Sequence, residues 1–316
     1  MAEVTIRHFE DSDLPEVLKV LRAGLGESLL QARSEAWFRW KHFENPFGRS
    51  ILLVADVGGR IAGVRAFLRW ELATPDGGLV RCVRPVDTAT HPDFQRIGVF
   101  RALTEAALDE ARADGVDLVF NTPNPRSGAG YRSMGWAEIG SIGVMVRPSP
   151  RLVLAPFRHD YSNDVGGFVD GGIPDDSFVS LTEETTGLRT PRHAEYLRWR
   201  FAANPVGRYV RIDAEGATVM LRPNLRKGLR EVVVSDVWGR DVRAGIQAAV
   251  RASEGDYLVG WFPKGSAERK AAVRAGMLPV PRVTALTLYA KPLRELAVNI
   301  ADIDAWRFTM SDLELL

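Results

Sequence analysis

The residues best suited to binding a charged ligand are gathered around Gly98, which stands where a strand-like run ends and an apolar 3.6-residue period begins. A helix opening on glycine presents free backbone N–H groups and the positive end of its dipole, which is the chemistry of a phosphate or pyrophosphate site. Gly98 lets a ligand approach the backbone, although a lone glycine here also reads as a plain turn. Arg96 and Arg101 flank it, either as cofactor contacts or as solvated arginines at a helix start. A second group lies in the tail, where 305–314 alternates so that Trp306, Phe308, Met310, Asp312 and Glu314 share one face of a strand. Asp312 and Glu314 would there bind or deprotonate a cationic amine; a frayed acidic terminus is the other reading. Asp87 is a weaker candidate base. His91, before a proline, reads as a turn residue, and Cys82 as a buried structural thiol.

The elements that must position these groups follow in order. Val4–Phe9 alternates as a strand, and helices are expected from about 13 to 23 and from 34 to 43. Strands are expected over 51–57, 61–71 and 79–90, the first pair joined by Gly58-Gly59. A helix over 99–113 leads to the apolar run 116–120, then to Asn124, to Tyr131 and to a strand from Trp136 to Arg147. This order departs from a regular βαβ array.

The run Gln95-x-x-Gly98, followed by Asn124, Tyr131 and Gly135-Trp136, resembles motifs A and B of the GNAT-type, acyl-CoA-dependent N-acetyltransferases. Phe100 departs from the family pattern, which has a small residue there, and is similar to the tandem-domain branch of the enhanced-intracellular-survival acetyltransferases. The resemblance implies acetyl-CoA as co-substrate, with no metal. It implies a cofactor site made by the backbone of Thr88, Ala89 and Thr90 beside pantetheine, by Gln95, Arg96, Ile97, Gly98, Val99, Phe100 and Arg101 around the phosphates, and by Asn124 and Tyr131. Tyr131 would be the general acid that protonates the leaving thiolate; a buried ring with a satisfied hydroxyl is the alternative. Trp40, Phe43 and Phe47 lie where family members line the acceptor pocket, and aromatic residues at helical spacing also read as core.

The 316 residues are comfortable for two domains, and 46% hydrophobic with 26% charged residues describes an ordinary globule. A net charge of +1 argues against a nucleic-acid binder, and a single cysteine excludes an internal disulfide. No signal peptide and no long apolar stretch is read, so a cytoplasmic protein without membrane or nucleic-acid partners is expected. The chain also repeats itself. Phe38-Arg-Trp40 through Asn45-Pro46-Phe-Gly48-Arg49 returns as Leu197-Arg-Trp199 through Asn204-Pro205-Val-Gly207-Arg208 at one constant offset, and the element order repeats after it.

The expected fold class is therefore mixed α/β (α+β), with two tandem N-acetyltransferase-like domains, each a mixed, mostly antiparallel sheet flanked by helices. The divisions are 1–150 for a catalytic domain, 151–173 for a linker, 174–292 for a degenerate copy lacking the motif A glycine and the tyrosine, and 293–316 for a tail. The expected activity is acetyl transfer from acetyl-CoA to a primary amine of a small molecule such as an amino sugar. A non-catalytic acyl-CoA-binding or interaction protein is the alternative, and the oligomeric state is open.

Overall fold

A computed structural model describes residues 3–26, 33–150, 152, 173, 178–181, 185–280 and 286–313. The linker expected over 151–173 lies almost wholly outside the described residues, as does Glu314.

Thirteen strands among the described residues form two sheets. In the first half, β1 (Val4–His8), β2 (Ile51–Val57), β3 (Arg60–Ala73) and β4 (Leu79–Thr90) make an antiparallel meander, and β5 (Leu118–Asn121) runs parallel to β4. Helices α1 (Leu14–Leu25), α2 (Glu35–His42), α3 (Val99–Ala113) and α4 (Pro125–Ser133) accompany them. Asp13 starts the first helix through Arg7, 2.7 Å away, and through the Glu10 amide. Ser34 caps α2 by accepting from Trp37 N. Leu14, Val17, Leu18 and Leu21 bury one stripe of α1, and Leu103, Ala107 and Ala111 one stripe of α3, on opposite faces of the sheet.

The expected strand from 136 to 147 is in fact two, β6 (Ala137–Ile142) and β7 (Met145–Pro148), and they serve different sheets. The second half supplies a helical turn α5 (Ala194–Leu197) that widens into a π-type turn over Arg198–Ala202. Strands β8 (Val210–Ala214), β9 (Ala217–Arg226), β10 (Leu229–Gly239) and β11 (Tyr257–Gly260) follow, with α6 (Val242–Ala252) and α7 (Ala267–Arg274) around β11. The chain continues with β12 (Leu278–Pro279) and β13 (Leu286–Pro292) and finishes with the short helix α8 (Met310–Leu313).

The sheet orders are β1-β2-β3-β4-β5-β13-β6 and β12-β7-β11-β10-β9-β8. The last strand of each half is thus exchanged: β13 pairs antiparallel with β5 and β6 of the first sheet, and β7 with β11 and β12 of the second. The exchange is reciprocal, because the two halves are related by an internal two-fold. Trp40 and Trp199 stack on each other at that relation, ring centroids 4.9 Å apart. Trp40 Nε1 donates to the Trp199 carbonyl at 2.8 Å, and Trp199 Nε1 returns the bond to the Trp40 carbonyl at 2.9 Å. The two-fold makes the rings equivalent, so Trp40→Ala and Trp199→Ala are expected to destabilise by similar amounts, each ~3–5 kcal/mol for a buried Trp truncation. Because they touch, the double variant should cost less than the sum. Urea denaturation of the three variants measures this.

The tail differs from its expected strand. It makes a 3₁₀ turn at Ile303–Ala305 and the helix α8, since Asp312 reaches back to the Thr309 amide (2.7 Å) and so closes a turn. Trp306 and Phe308 are buried against Phe120 in the core between the sheets.

Candidate acyl-transfer site

The pairing of β4 with β5 extends only over Cys82–Leu118 and Val83–Val119. Beyond that register β4 keeps its partner β3 on one side, with Ala89 opposite Val64 and Thr90 opposite Gly63. On the other side the strands diverge, and Thr88–Thr90 present an open edge to a cavity of about 570 Å³. A bulge at Asp87 and Thr88, where the β3–β4 register slips and Asp87 takes φ +43°, turns this stretch of β4.

The floor of the cavity is the start of α3. Gly98 has φ +90° and Arg96 φ +67°, so two left-handed residues precede the helix and aim its amides outward. An arginine in that region is strained, a cost of about 1–3 kcal/mol that tends to be met where a loop has work to do. No side chain caps the helix and no acidic residue stands in its first turn. Arg96 and Arg101 line the cavity, Arg101 bonded to Glu105 at 3.1 Å and to Ser133 at 3.3 Å. Asn124 closes the far side while capping α4, its Oδ1 accepting from Ser127 N at 3.0 Å.

Thr88, Ala89, Thr90, Gln95, Arg96, Gly98, Val99, Phe100, Arg101 and Asn124 therefore meet around one space. Ile97 is outside it, with its side chain turned to solvent. Tyr131 is 3% exposed and does not line the cavity. It packs edge-on against Phe100, which does, and against Trp136. Its hydroxyl accepts from Arg65 Nη1 at 2.8 Å.

Arg65 was not legible as a site residue. It lies on β3, wholly buried, with the Phe100 ring 4.7 Å and the Phe67 and Tyr131 rings 5.7 Å from its guanidinium carbon. It donates to Thr88 Oγ1 at 3.0 Å and to Thr104 Oγ1. Among the described residues no carboxylate lies within 4.0 Å of it. The signal was a charged residue flanked on its own face by Gly63 and Phe67, inside a strand apolar on both faces.

Asp87 takes another role from that of a free base. Lys41 Nζ lies 2.7 Å and His42 Nε2 3.3 Å from its Oδ2, and all three are buried. Burial alone would raise the Asp87 carboxyl, but Lys41 and His42 outweigh it and hold it well below the usual carboxylate range. Burial pushes His42 below its ordinary value, against the pull of Asp87. Below about pH 6.5 an unfolded His42 takes up a proton that the folded protein refuses, so stability falls as pH drops from there towards the folded value. Asp87 acts with the same sign at lower pH: its contribution is present above about pH 3.9 and is lost as pH falls from there through its depressed folded value. The first acid loss therefore belongs to His42. The urea midpoint should decline as pH falls below about 6.5, and His42→Gln should flatten that decline.

The other residues named from the sequence lie away from this cavity. Trp40 belongs to the two-fold contact, stacked on Trp199 and away from the cavity. Phe43 and Phe47 are half-buried and pack against Phe38 and Trp70, respectively, at the border of the core. Asp312 is buried, and burial pushes its carboxyl up; it bonds to Thr309 and Thr190 and does not face Gly98. Buried arginines hold the tail there: Arg84 donates to the Asp312 carbonyl and Arg200 to that of Ser311 at 2.9 Å.

The other half closes the corresponding helix start. Asp241 caps α6 with its own carboxylate, accepting from Ala244 N at 3.0 Å. Among the described residues no helix is long and apolar enough to cross a membrane, and no group of three His, Cys, Asp or Glu could hold a metal.

Residues 5–139 match the family model described as an acetyltransferase (GNAT) domain. Among curated proteins none matches in sequence. Among solved structures, a GCN5-related N-acetyltransferase from Anabaena variabilis superposes with a TM-score of 0.62 at 13% identity, over 92% of this chain and 73% of that one. Eis1 from Mycobacterium abscessus gives 0.54 at 16% identity over the same shares. A putative acetyltransferase from Pyrococcus horikoshii gives 0.54 at 11% identity, covering 99% of this chain and 95% of that one. The open β4 edge and the uncapped α3 meet inside the matched segment, so the GNAT-type domain match covers residues 5–139, and the fold over the whole length is similar to that of Eis1.

Proposed function

We infer that the protein is an acetyl-CoA-dependent N-acetyltransferase acting on a primary amine of a small molecule. The observation that carries this reading is the meeting, in one cavity, of an uncapped helix N-terminus at Gly98 with the unpaired edge of β4 at Thr88–Thr90. The amides after Gly98, with Arg96 and Arg101, would hold the diphosphate, and the β4 edge with Asn124 the pantetheine amides. Acetyl-CoA supplies the activated thioester.

Tyr131 is then the proton donor and Arg65 its positioning residue. An arginine only donates, so its bond occupies a lone pair of the phenolic oxygen and leaves the phenol O–H to be given elsewhere. The cation also favours the negative oxygen left behind once that proton departs. Phe100 has to turn aside for the thioester to reach the phenol, since its ring lies between Tyr131 and the space. That same ring supports the second reading, a protein that holds acyl-CoA without turning it over.

The deciding experiment is release of free CoA thiol from acetyl-CoA in the presence of a panel of primary amines, alongside a thermal titration with acetyl-CoA. Amine-dependent release supports the transferase. A raised Tm without release supports the binder, and neither response overturns both.

A further inference from the structure

The internal two-fold carries β4, β5 and α4 onto β10, β11 and α7, and at that place the second half has a cavity of its own, about 330 Å³. It is not a second acyl-CoA cleft, because α6 is capped by Asp241 and contributes no residue to it. It is also far from the first. Arg189 on its rim pairs through the backbone with Ala73 at one end of β3, whereas Thr90 pairs with Gly63 near the other end, roughly 30 Å along the strand.

The polar groups around this cavity are unbalanced. Ser235 sits at the β10 bulge, 1% exposed, and among the described residues its Oγ has no hydrogen-bond partner; Trp261 is 9% exposed, and its Nε1 has none there either. Arg307 donates from Nη1 to the Lys264 carbonyl at 2.9 Å, while its Nε has no partner among the described residues. Among the described residues no carboxylate lies within 4.0 Å of Arg307. Asp236 is already engaged, its oxygens accepting from Arg192 (2.8 Å) and the Val237 amide (2.8 Å). Glu268, at the start of α7, is the remaining acid on the wall and makes no ion pair among the described residues. Indole and guanidinium nitrogens only donate, so the missing partner must accept. Buried unpaired donors are costly, and a ligand that accepts from them would relieve that cost. The rest of the wall, Val234, Phe262 and Phe308, is apolar.

We propose that this cavity binds a small carboxylic acid with an apolar body, the carboxylate received by Arg307, Trp261 and Ser235. The site is independent of the acyl-transfer reading, and its test does not use turnover. The probe is phenylacetate, with phenethylamine as a cation of similar shape, titrated calorimetrically into the full chain. Phenylacetate should bind saturably and phenethylamine should not. Trp261→Phe, which keeps the ring bulk and removes the donor, and Arg307→Met should each weaken binding about tenfold or more, the loss of one charge-assisted or buried bond. Glu268→Gln should tighten it by removing a repulsive charge. Gly98→Asp and saturating CoA should leave it unchanged. The proposal is overturned if phenylacetate does not bind, if phenethylamine binds equally, if neither Trp261→Phe nor Arg307→Met weakens binding in a chain of unchanged Tm, or if Gly98→Asp abolishes it.

Discussion

Replacing Gly98 by Asp should abolish the stabilisation of the protein by acetyl-CoA while leaving a folded chain. The argument comes from inside the molecule: α6 begins with Asp241, whose carboxylate already satisfies an amide of its first turn, whereas α3 begins with a glycine and has no such anion. A carboxylate at 98 would put a negative charge where a diphosphate is to bind. Binding should weaken at least about 100-fold, or ~2.7 kcal/mol. Gly98→Ala separates charge from backbone strain. A Cβ at 98 meets nothing within 4 Å, so alanine carries only the left-handed cost of ~1–2 kcal/mol. Calorimetric titration with acetyl-CoA should rank glycine, alanine, aspartate in falling affinity. If aspartate binds as tightly as glycine, the helix start is not the phosphate site.

The second large effect concerns the phenol and the guanidinium behind it. Tyr131→Phe is expected to lower turnover by ~10²–10⁴-fold, the usual worth of a positioned general acid, with affinity for acetyl-CoA unchanged. Arg65→Met is expected to lower kcat while sparing stability, or even raising it. Arg65 is a buried cation with hydroxyl partners and no carboxylate near it, and exchange of buried charge for an apolar side chain of similar bulk is often neutral or favourable. A merely structural arginine would move Tm and leave kcat alone. Intact turnover in Tyr131→Phe would remove the phenol from the reaction.

Much of the scaffold was legible because its elements are locally consistent. The limits of β2, β4 and α3 agree with those read from apolar period and turn residues, since each is a run of buried apolar residues with a turn or glycine at its ends. The Gly98 cleft was legible for the same reason, as a helix start announces itself by spacing. Other features depend on partners distant in sequence. Arg65 looked like one charge in an apolar strand, and only the fold brings Thr88, Thr104 and Tyr131 around it. Alternation in the tail suggested a strand, but Trp306 and Phe308 are buried by packing against Phe120, and Asp312 bends the chain into a turn. Trp40 could have lined a pocket or a contact, and its partner 159 residues away decides.

The exchanged strands bear on whether either half could stand alone. Without β13 the first sheet would have a gap between β5 and β6, and without β7 the second would have one between β11 and β12. Each half holds a rib of the other, so neither can be shed as cargo. Clipping the chain between the halves would leave two torn sheets in place of two separate folds.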